Sequence, residues 1–237
     1  MPEKTIEMFK ATDILYEDNH LLVINKPAGV LVQSDTTGDA ALEDEIKAFI
    51  RERDEKPGNV FLGVVHRIDR PVSGAVLFAK TGKALARLNE MLKNREFRKI
   101  YWAITDRRPE KLEDTLADHL VRDGKTNKSR CVSKPTADSK EARLRYRVIG
   151  GSDNYTLLEI ELLTGRHHQI RCQLAKAGCP IKGDLKYGAP RSNRDGSISL
   201  HARSLEFMHP VRKEPVRVTA PVPREDNLWR YFEKSQE

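Results

Sequence analysis

Short apolar runs separated by polar turns recur along the chain and predict a mixture of strands and helices. Residues 14–16 and 21–24 flank a polar turn, which predicts two strands joined by that turn. Residues 60–65 and 75–79 are almost entirely apolar and predict two buried strands. Residues 41–54 carry apolar side chains at helical spacing, which predicts an amphipathic helix.

The rest of the chain continues this mixture. Residues 83–96 and 168–177 repeat apolar side chains at helical spacing, and Asp226 is a suitable N-cap for a short helix through Phe232. Further strands are predicted at residues 99–104, 143–149, 155–163, 198–207 and 214–220. Because strands and helices do not alternate strictly, we expect an α+β fold with a mixed, largely antiparallel central sheet and flanking helices and loops.

The length of the chain, 237 residues, is enough for one large domain or two small ones. Residues 106–140 are polar and rich in turn-forming side chains, which is typical of an insertion or of a division between two lobes. We expect a single domain over residues 1–237, with any division into lobes inside residues 106–140.

Composition narrows the class of protein. Charged residues make up 32% of the chain, and no apolar run is long enough to cross a bilayer. The first residues lack the basic-then-apolar layout of a signal peptide. Cys131, Cys172 and Cys179 have no metal-like spacing, and their odd number argues against a disulfide framework. We therefore expect a cytoplasmic protein with reduced thiols and no membrane partner.

Positive charge is concentrated in one stretch. The formal net charge is +7, and residues 122–147 hold nine Lys or Arg against three Asp or Glu. One interpretation is a solvated loop; the other is an arm that contacts the phosphates of a nucleic acid. The second interpretation assigns RNA-backbone contacts to four residues: Lys125, Lys128, Arg130 and Lys134.

The strongest candidate for chemistry lies between the two apolar runs 60–65 and 75–79. There Asp69 stands between Arg67 and Arg70. Charged groups at the end of a buried strand are costly unless they are paired or used in a reaction. The segment therefore favours a functional site.

Three separated segments carry a resemblance to a known family. They read His-Arg-Ile-Asp-Arg-Pro-Val-Ser-Gly at residues 66–74, Arg-Lys-Ile-Tyr at 98–101 and Gly-Arg-His-His-Gln-Ile-Arg at 165–171. In this order they resemble the signature of the RluA-type pseudouridine synthases, and supporting matches extend over residues 12–222. Two departures are Ile68, where Leu is common, and Val72, where the family often has Thr. The resemblance implies a catalytic domain that here has no room for the S4-like RNA-binding domain of many relatives.

The resemblance implies an isomerase that needs no cofactor. It assigns Asp69 as the nucleophile, Arg171 as the cation that keeps this carboxylate ionised, and Tyr101 as a stacking and proton-relay group. Three routes stay open for Asp69, namely attack at C1′ of the ribose, attack at the pyrimidine ring, and removal of a proton from the sugar. Pairing of Asp69 with Arg171, which lies far away in the sequence, is a specific structural expectation.

The same resemblance implies further substrate contacts. Arg67 is expected to fill the space of a flipped base or to hold a phosphate, and Ile170 to pack against the uracil. The other expected substrate-binding residues are His66, Arg166, His168, Gln169 and Lys182. His167 and His168 also suggest a metal, but no carboxylate or cysteine completes a ligand set, so no metal is expected.

Two functions from different classes remain in view. The first is an RNA pseudouridine synthase acting on structured ribosomal or transfer RNA through base flipping. The alternative is an RNA-binding or ribosome-assembly factor whose catalysis is dispensable. A hydrolase using Asp69 and His66 is weaker, because the sequence has neither a nucleophile elbow nor a metal site. The charged surface shows no apolar seam, so we expect a monomer.

Overall fold

The structure, a computed structural model, describes residues 9–34 and 38–236. In this part of the chain it contains eleven strands and four α-helices. The strands are β1 (Ile14–Glu17), β2 (Leu21–Lys26), β3 (Gly63–Val64), β4 (Ser73–Ala79), β5 (Arg98–Thr105), β6 (Glu113–Asp123), β7 (Lys128–Val132), β8 (Lys140–Gly151), β9 (Thr156–Leu162), β10 (Leu200–Met208) and β11 (Pro215–Thr219). The helices are α1 (Leu42–Arg53), α2 (Gly82–Lys93), α3 (Gln169–Lys176) and α4 (Asn227–Lys234).

The chain divides into two compact units. The first comprises residues up to Phe97 together with Ser204–Pro221, and the second comprises Arg98–Arg203 and the residues from Val222 onward. The boundaries therefore lie outside residues 106–140, where the sequence suggested a division. Strand β10 crosses a boundary, so its first four residues belong to the second unit.

The first unit is organised around strands β2 and β4. They pair antiparallel from Leu21 opposite Ala79 to Lys26 opposite Gly74. Every residue of β4 is buried, as expected for a strand covered on both faces. Helix α2 begins after Thr81, whose side chain accepts a hydrogen bond from the Ala84 backbone N–H. Apolar side chains of β2, β4, α2, β10 and β11 form the core of this unit.

The second unit is an antiparallel array with strand order β5-β9-β8-β6-β7. In β8 the buried side chains Ala142, Leu144 and Tyr146 alternate with the exposed Arg143 and Arg145. One face of this strand is therefore turned to the core and the other to solvent. In α4, Trp229 and Phe232 join the core cluster around β5. The predicted cap is confirmed, because the Asp226 side chain accepts a hydrogen bond from Leu228 N at 2.7 Å.

The predicted α+β class and the mixed, mostly antiparallel sheet are confirmed. One predicted strand was wrong, and one hairpin was not predicted. Of the predicted strand 60–65, only Gly63–Val64 is a strand. Val60 and Leu62 are nevertheless buried, so side-chain packing rather than strand pairing explains the apolar run. Residues 106–140 are mostly a β-hairpin, formed by β6, a turn at 124–127 and β7. Most β6 side chains are partly or fully exposed, which is why its sequence reads as polar.

Of the described residues, none belongs to a helix long and apolar enough to cross a bilayer. Residues 1–4, which lack the layout of a signal peptide in the sequence, lie outside the described residues.

Candidate active site

Asp69 lies in the loop that joins β3 to β4 in the first unit. The Val72 backbone N–H donates to the Asp69 carbonyl at 3.0 Å, which closes a tight turn around Arg70 and Pro71. Ile68 and Val72 are buried on either side of the turn, whereas Asp69 itself is half-buried. The apolar neighbours therefore anchor the loop and leave the carboxylate at its accessible edge.

Lys26, at the end of β2, holds this loop through hydrogen bonds. Its side chain is fully buried, and Nζ donates to the carbonyls of Pro27 at 2.8 Å, Val30 at 2.8 Å and Arg70 at 3.2 Å. Three carbonyl oxygens match the three hydrogens of an ammonium group. Burial lowers the pKa of Lys26 to about 7, while attraction to Asp69 opposes that shift. Lys26 is therefore a structural clamp of the loop that also interacts electrostatically with Asp69.

The two arginines and the histidine of the loop have different surroundings. Arg70 donates through Nε to the Gly29 carbonyl at 2.9 Å and pairs with Asp39 at 2.7 Å. The Leu77 backbone N–H donates to Nε2 of His66 at 3.2 Å, so this ring ties the loop to β4. Arg67 is exposed. Of these side chains, Arg67 has the position best suited to contact a large substrate.

Arg171 lies in α3 of the second unit and forms a buried ion pair with Asp184. Arg171 Nε donates to Oδ2 at 2.7 Å, and Nη2 donates to Oδ1 at 2.8 Å. The side chains are only 6% and 1% exposed. This two-point geometry fixes the plane of the guanidinium, which carries five N–H donors in all. Asp184 thus orients Arg171 and takes two of those donors.

Tyr187 supports Arg171 from the side. The Arg171 guanidinium lies 5.1 Å from the centre of the Tyr187 ring, a cation–π contact. The Tyr187 hydroxyl accepts from Ser129 N at 2.8 Å and donates to Ser129 O at 3.2 Å. Burial raises the pKa of Tyr187 to about 12, so the hydroxyl keeps its proton at neutral pH. Tyr187 therefore connects the arginine on α3 to the backbone of β7.

His168 precedes α3 in a left-handed backbone conformation, with φ of 52°. Its ring is buried, stacks on His167 with centroids 3.8 Å apart, and places Nδ1 3.0 Å from the Tyr187 hydroxyl. Burial, together with the nearby positive charge of Arg171, lowers the pKa of His168 to about 2. The ring is therefore neutral at physiological pH, and it packs against Tyr187, whose ring contacts Arg171.

Gln169 and Arg166 hold the turn before α3. The Gln169 side-chain oxygen accepts from Thr164 Oγ1 at 2.8 Å and from Arg166 N at 3.0 Å, and its Nε2 donates to Arg143 O at 3.0 Å. Arg166 Nε donates to the Glu141 carbonyl at 2.9 Å. Gln169 is buried and its amide is engaged within the unit, so it braces this turn. Its contact with the substrate stays a prediction.

The remaining expected site residues of the second unit have distinct positions. Tyr101 in β5 pairs with Ile160 of β9 and is 7% exposed, and Ile170 in α3 is 5% exposed. Lys182 Nζ donates to Asn193 Oδ1 at 2.6 Å and lies 5.9 Å from the centre of the Tyr155 ring. Lys182 is therefore held by its own loop.

The four basic residues expected to contact RNA are all exposed. Lys125 lies in the turn of the β6–β7 hairpin, and Lys134 lies beyond β7. Lys128 and Arg130 project from the same face of β7, because side chains alternate along a strand. Lys128 Nζ also lies 5.8 Å from the Tyr187 ring centre.

The sequence-predicted residues fall into two groups. His66, Arg67 and Asp69 share one loop of the first unit, whereas Arg171, its α3 neighbours, Tyr101 and the basic hairpin belong to the second. Pairing between Asp69 and Arg171 stays a prediction. Sequence reasoning assigned no role to Lys26 or Tyr187, and it placed Asp184 only at the edge of the pocket, not as the partner of Arg171. The available signals were a lysine that ends an apolar strand and an aspartate and tyrosine inside a family-like loop.

No group of three or more His, Cys, Asp or Glu side chains within residues 9–34 and 38–236 is arranged to hold a metal ion.

Comparisons with known proteins agree with the resemblance seen in the sequence. The family model described as RNA pseudouridylate synthase matches residues 20–176. An uncharacterized RNA pseudouridine synthase of Synechocystis sp. is 34% identical over 89% of this chain and 65% of its own length. A ribosomal large subunit pseudouridine synthase D of Xylella fastidiosa is 36% identical over 90% of this chain and 66% of its own length. The chain thus spans just under two thirds of these relatives.

A solved structure supports the same assignment. Human RNA pseudouridylate synthase domain containing 4 superposes with a TM-score of 0.76 at 25% identity, covering 94% of this chain and 91% of that one. Sequence motifs, the matched family model and the superposed fold agree. The chain belongs to the RNA pseudouridylate synthase family, and its resemblance to the RluA type is confirmed.

Proposed function

We propose that this chain converts uridine to pseudouridine in RNA, with Asp69 as the nucleophile. The observation that carries the proposal is the way the Asp69 loop is held. The turn bond from Val72, the Lys26 clamp and the His66–Leu77 hydrogen bond fix the backbone on both sides of a half-buried carboxylate. A nucleophile held by packing and hydrogen bonds is positioned before the substrate arrives.

The reaction is an isomerisation and therefore needs no cofactor. The N1–C1′ bond of the uridine breaks, the base turns, and a C5–C1′ bond forms. C5 then loses a proton and N1 gains one, so the atoms balance without a redox step. A carboxylate that forms a temporary covalent bond divides this exchange into two easier steps. The proposed nucleophile lies in a loop that the Lys26 side chain holds through three backbone carbonyls.

We assign to Arg171 the role of a second cation for Asp69. This rests on the family resemblance and on how firmly Asp184 and Tyr187 orient the guanidinium. Tyr101 is the group that stacks on the uracil and relays a proton, with Ile170 as its apolar counterpart. The assignment is tested by replacing Arg171 and Asp69 singly and together. If the two residues act as a unit, the double variant loses less activity than the two single losses combined.

The substrate is a structured RNA from which the target uridine is flipped out. Flipping costs a few kcal/mol, and the exposed Arg67 is placed to occupy the vacated stack or to hold a phosphate. The exposed face of β7 with Lys128 and Arg130 supplies backbone contacts. Ribosomal RNA and transfer RNA stem-loops are the proposed substrate class. We further propose that the protein acts as a cytoplasmic monomer.

One experiment tests the reaction and identifies the RNA. Pseudouridine is mapped across ribosomal and transfer RNA in cells that lack the protein, and in the same cells carrying wild type, Asp69→Asn or Asp44→Asn. Asp44 is an exposed residue of α1 and is the matched control. We expect particular pseudouridines to vanish and to return with wild type and Asp44→Asn only.

RNA binding by the purified Asp69→Asn protein completes the test. If this variant binds RNA and restores the modification, Asp69 is not the nucleophile. If no site changes in cells and purified wild type does not modify the RNA that it binds, the alternative holds. The chain would then act as an RNA-binding or assembly factor.

A further inference from the structure

Two cysteines in the second unit lie on different secondary-structure elements and face each other. Cys131 lies in β7 and Cys172 lies in α3, and their sulfur atoms are 3.4 Å apart. Forty residues separate them in the sequence, so the fold alone creates this contact. The pair belongs to a small apolar cluster that also contains Leu120, Ala142 and Tyr187.

The two thiols differ in access and in acidity. Cys131 is half-buried, whereas Cys172 is 6% exposed. The hydrogen bond between the sulfurs lowers the pKa of Cys172 and raises that of Cys131. The Lys176 ammonium adds a positive charge that favours a thiolate, although Asp118, its ion-pair partner, opposes this effect. The site thus offers one sulfur with thiolate character beside a second, more accessible one.

We propose that Cys131 and Cys172 form a site of reversible oxidation, in which a peroxide converts the two thiols into an intramolecular disulfide. In the first step, a thiolate sulfur takes one oxygen from hydrogen peroxide, which gives a sulfenic acid and hydroxide. The second sulfur then attacks the first, the S–O bond breaks, and water leaves with the thiol proton. The sulfurs must approach from 3.4 Å to about 2.05 Å.

The disulfide would join two elements that matter for the proposed function. Strand β7 carries Lys128 and Arg130, and α3 carries Arg171 directly before Cys172. Oxidation would tie the basic hairpin to the helix of the arginine. The proposed disulfide itself does not depend on catalytic activity, so its test stands apart from the test of the reaction.

Cys179 is the natural matched control. It is fully buried, its Sγ donates to the Leu174 carbonyl at 3.5 Å, and burial raises the pKa of its thiol to about 11. Reactive cysteines are those with thiolate character and access, so Cys179 is expected to be inert.

The experiment treats the full chain with hydrogen peroxide and measures its intact mass and its disulfide-linked peptides. Wild type and Cys179→Ala should each lose two hydrogen atoms per chain, yield a linked peptide containing Cys131 and Cys172, and recover their mass with dithiothreitol. Neither Cys131→Ala nor Cys172→Ala should lose these hydrogens or yield the linked peptide, because each variant lacks one of the two sulfurs. Oxygen addition to wild type without a linked peptide, an unchanged wild-type mass, or a disulfide between two chains would overturn the proposal.

Discussion

Arg171 and Asp184 form a two-point ion pair with distances of 2.7 and 2.8 Å, in which both side chains are almost completely buried. Taking two charges out of water is expensive, and the expense is offset only while both partners are present. The pair therefore makes the orientation of Arg171 depend on a loop that follows α3 by several residues.

Replacing Asp184 by Asn should leave the Arg171 charge buried without its partner. We expect the free energy of unfolding to fall by about 3–5 kcal/mol. Under the role proposed for Arg171, pseudouridine formation should fall by about 100-fold, because a displaced guanidinium loses its alignment with the substrate. Denaturant unfolding and single-turnover assays at a temperature where the variant is folded measure both effects.

The control for this change is Glu159→Gln, which breaks the exposed pair between Arg147 and Glu159 at 2.8 Å. It should cost less than about 1 kcal/mol, because water screens exposed charges. Equal losses for the two variants would contradict the special role of the buried pair.

Tyr187 should contribute to stability through its hydroxyl and to turnover through its ring. Tyr187→Phe removes the hydrogen bond from Ser129 N, and we expect a loss of about 1–3 kcal/mol in stability. Tyr187→Leu also removes the cation–π contact with Arg171, so turnover should decrease in the order wild type, Phe, Leu. Tyr231→Phe, at a 52% exposed position, is the matched control and should behave as wild type. If the Phe and Leu variants turn over RNA equally, the ring has no orienting role.

Lys26 should make stability depend on pH in the alkaline range. Burial lowers its pKa from an ordinary 10.5 to about 7 in the folded protein. Between these values the unfolded chain binds more protons than the folded one, so this contribution to stability rises from pH 7 to pH 10.5 and is flat below pH 7. Lys26→Met should lack the rise, which urea unfolding at several pH values measures. Lys93→Met, an exposed change in α2, should keep it. Parallel curves for wild type and Lys26→Met would rule out the titration.

Asp18 should make the stability of the first unit depend on pH in the acid range. Burial raises its pKa, but hydrogen bonds from the His20 and Leu21 backbone N–H groups, Tyr16 and His209 outweigh that effect and lower the pKa to about 2. The ordinary value is 3.8, so stability from Asp18 is present above pH 3.8 and is lost as pH falls towards 2. Asp18→Asn should flatten this part of the pH–stability curve, as followed by thermal unfolding. An unchanged curve would remove Asp18 from the explanation.

The basic hairpin should control the salt dependence of RNA binding. Lys128→Gln with Arg130→Gln should weaken binding and lower the slope of log K against log salt by about 0.7–0.9 for each lost phosphate contact. Fluorescence anisotropy at several salt concentrations measures the slope. Lys83→Gln with Lys93→Gln removes two exposed charges from α2 and should leave it unchanged. A slope unaffected by the hairpin change would return residues 122–147 to the solvated-loop interpretation.

The elements that sequence reasoning predicted well are those with strong periodicity. Helices α1, α2 and α4 lie where apolar spacing and caps indicated them, since these signals come from residues within a few positions of one another. The β6–β7 hairpin was missed because its side chains are largely exposed and its strands therefore lack an apolar face. For residues 60–65 the prediction gave too much strand, because apolar side chains can be buried without strand pairing.

By itself, the sequence determined the family, the reaction class that the family implies, and the identity of Asp69 as the candidate nucleophile. These conclusions rest on motifs whose members lie close together in the chain. Only the tertiary structure revealed the Lys26 clamp, the orientation of Arg171 by Asp184 and Tyr187, and the facing sulfurs of Cys131 and Cys172. Such contacts depend on loop conformation and on long-range packing, which local periodicity does not encode.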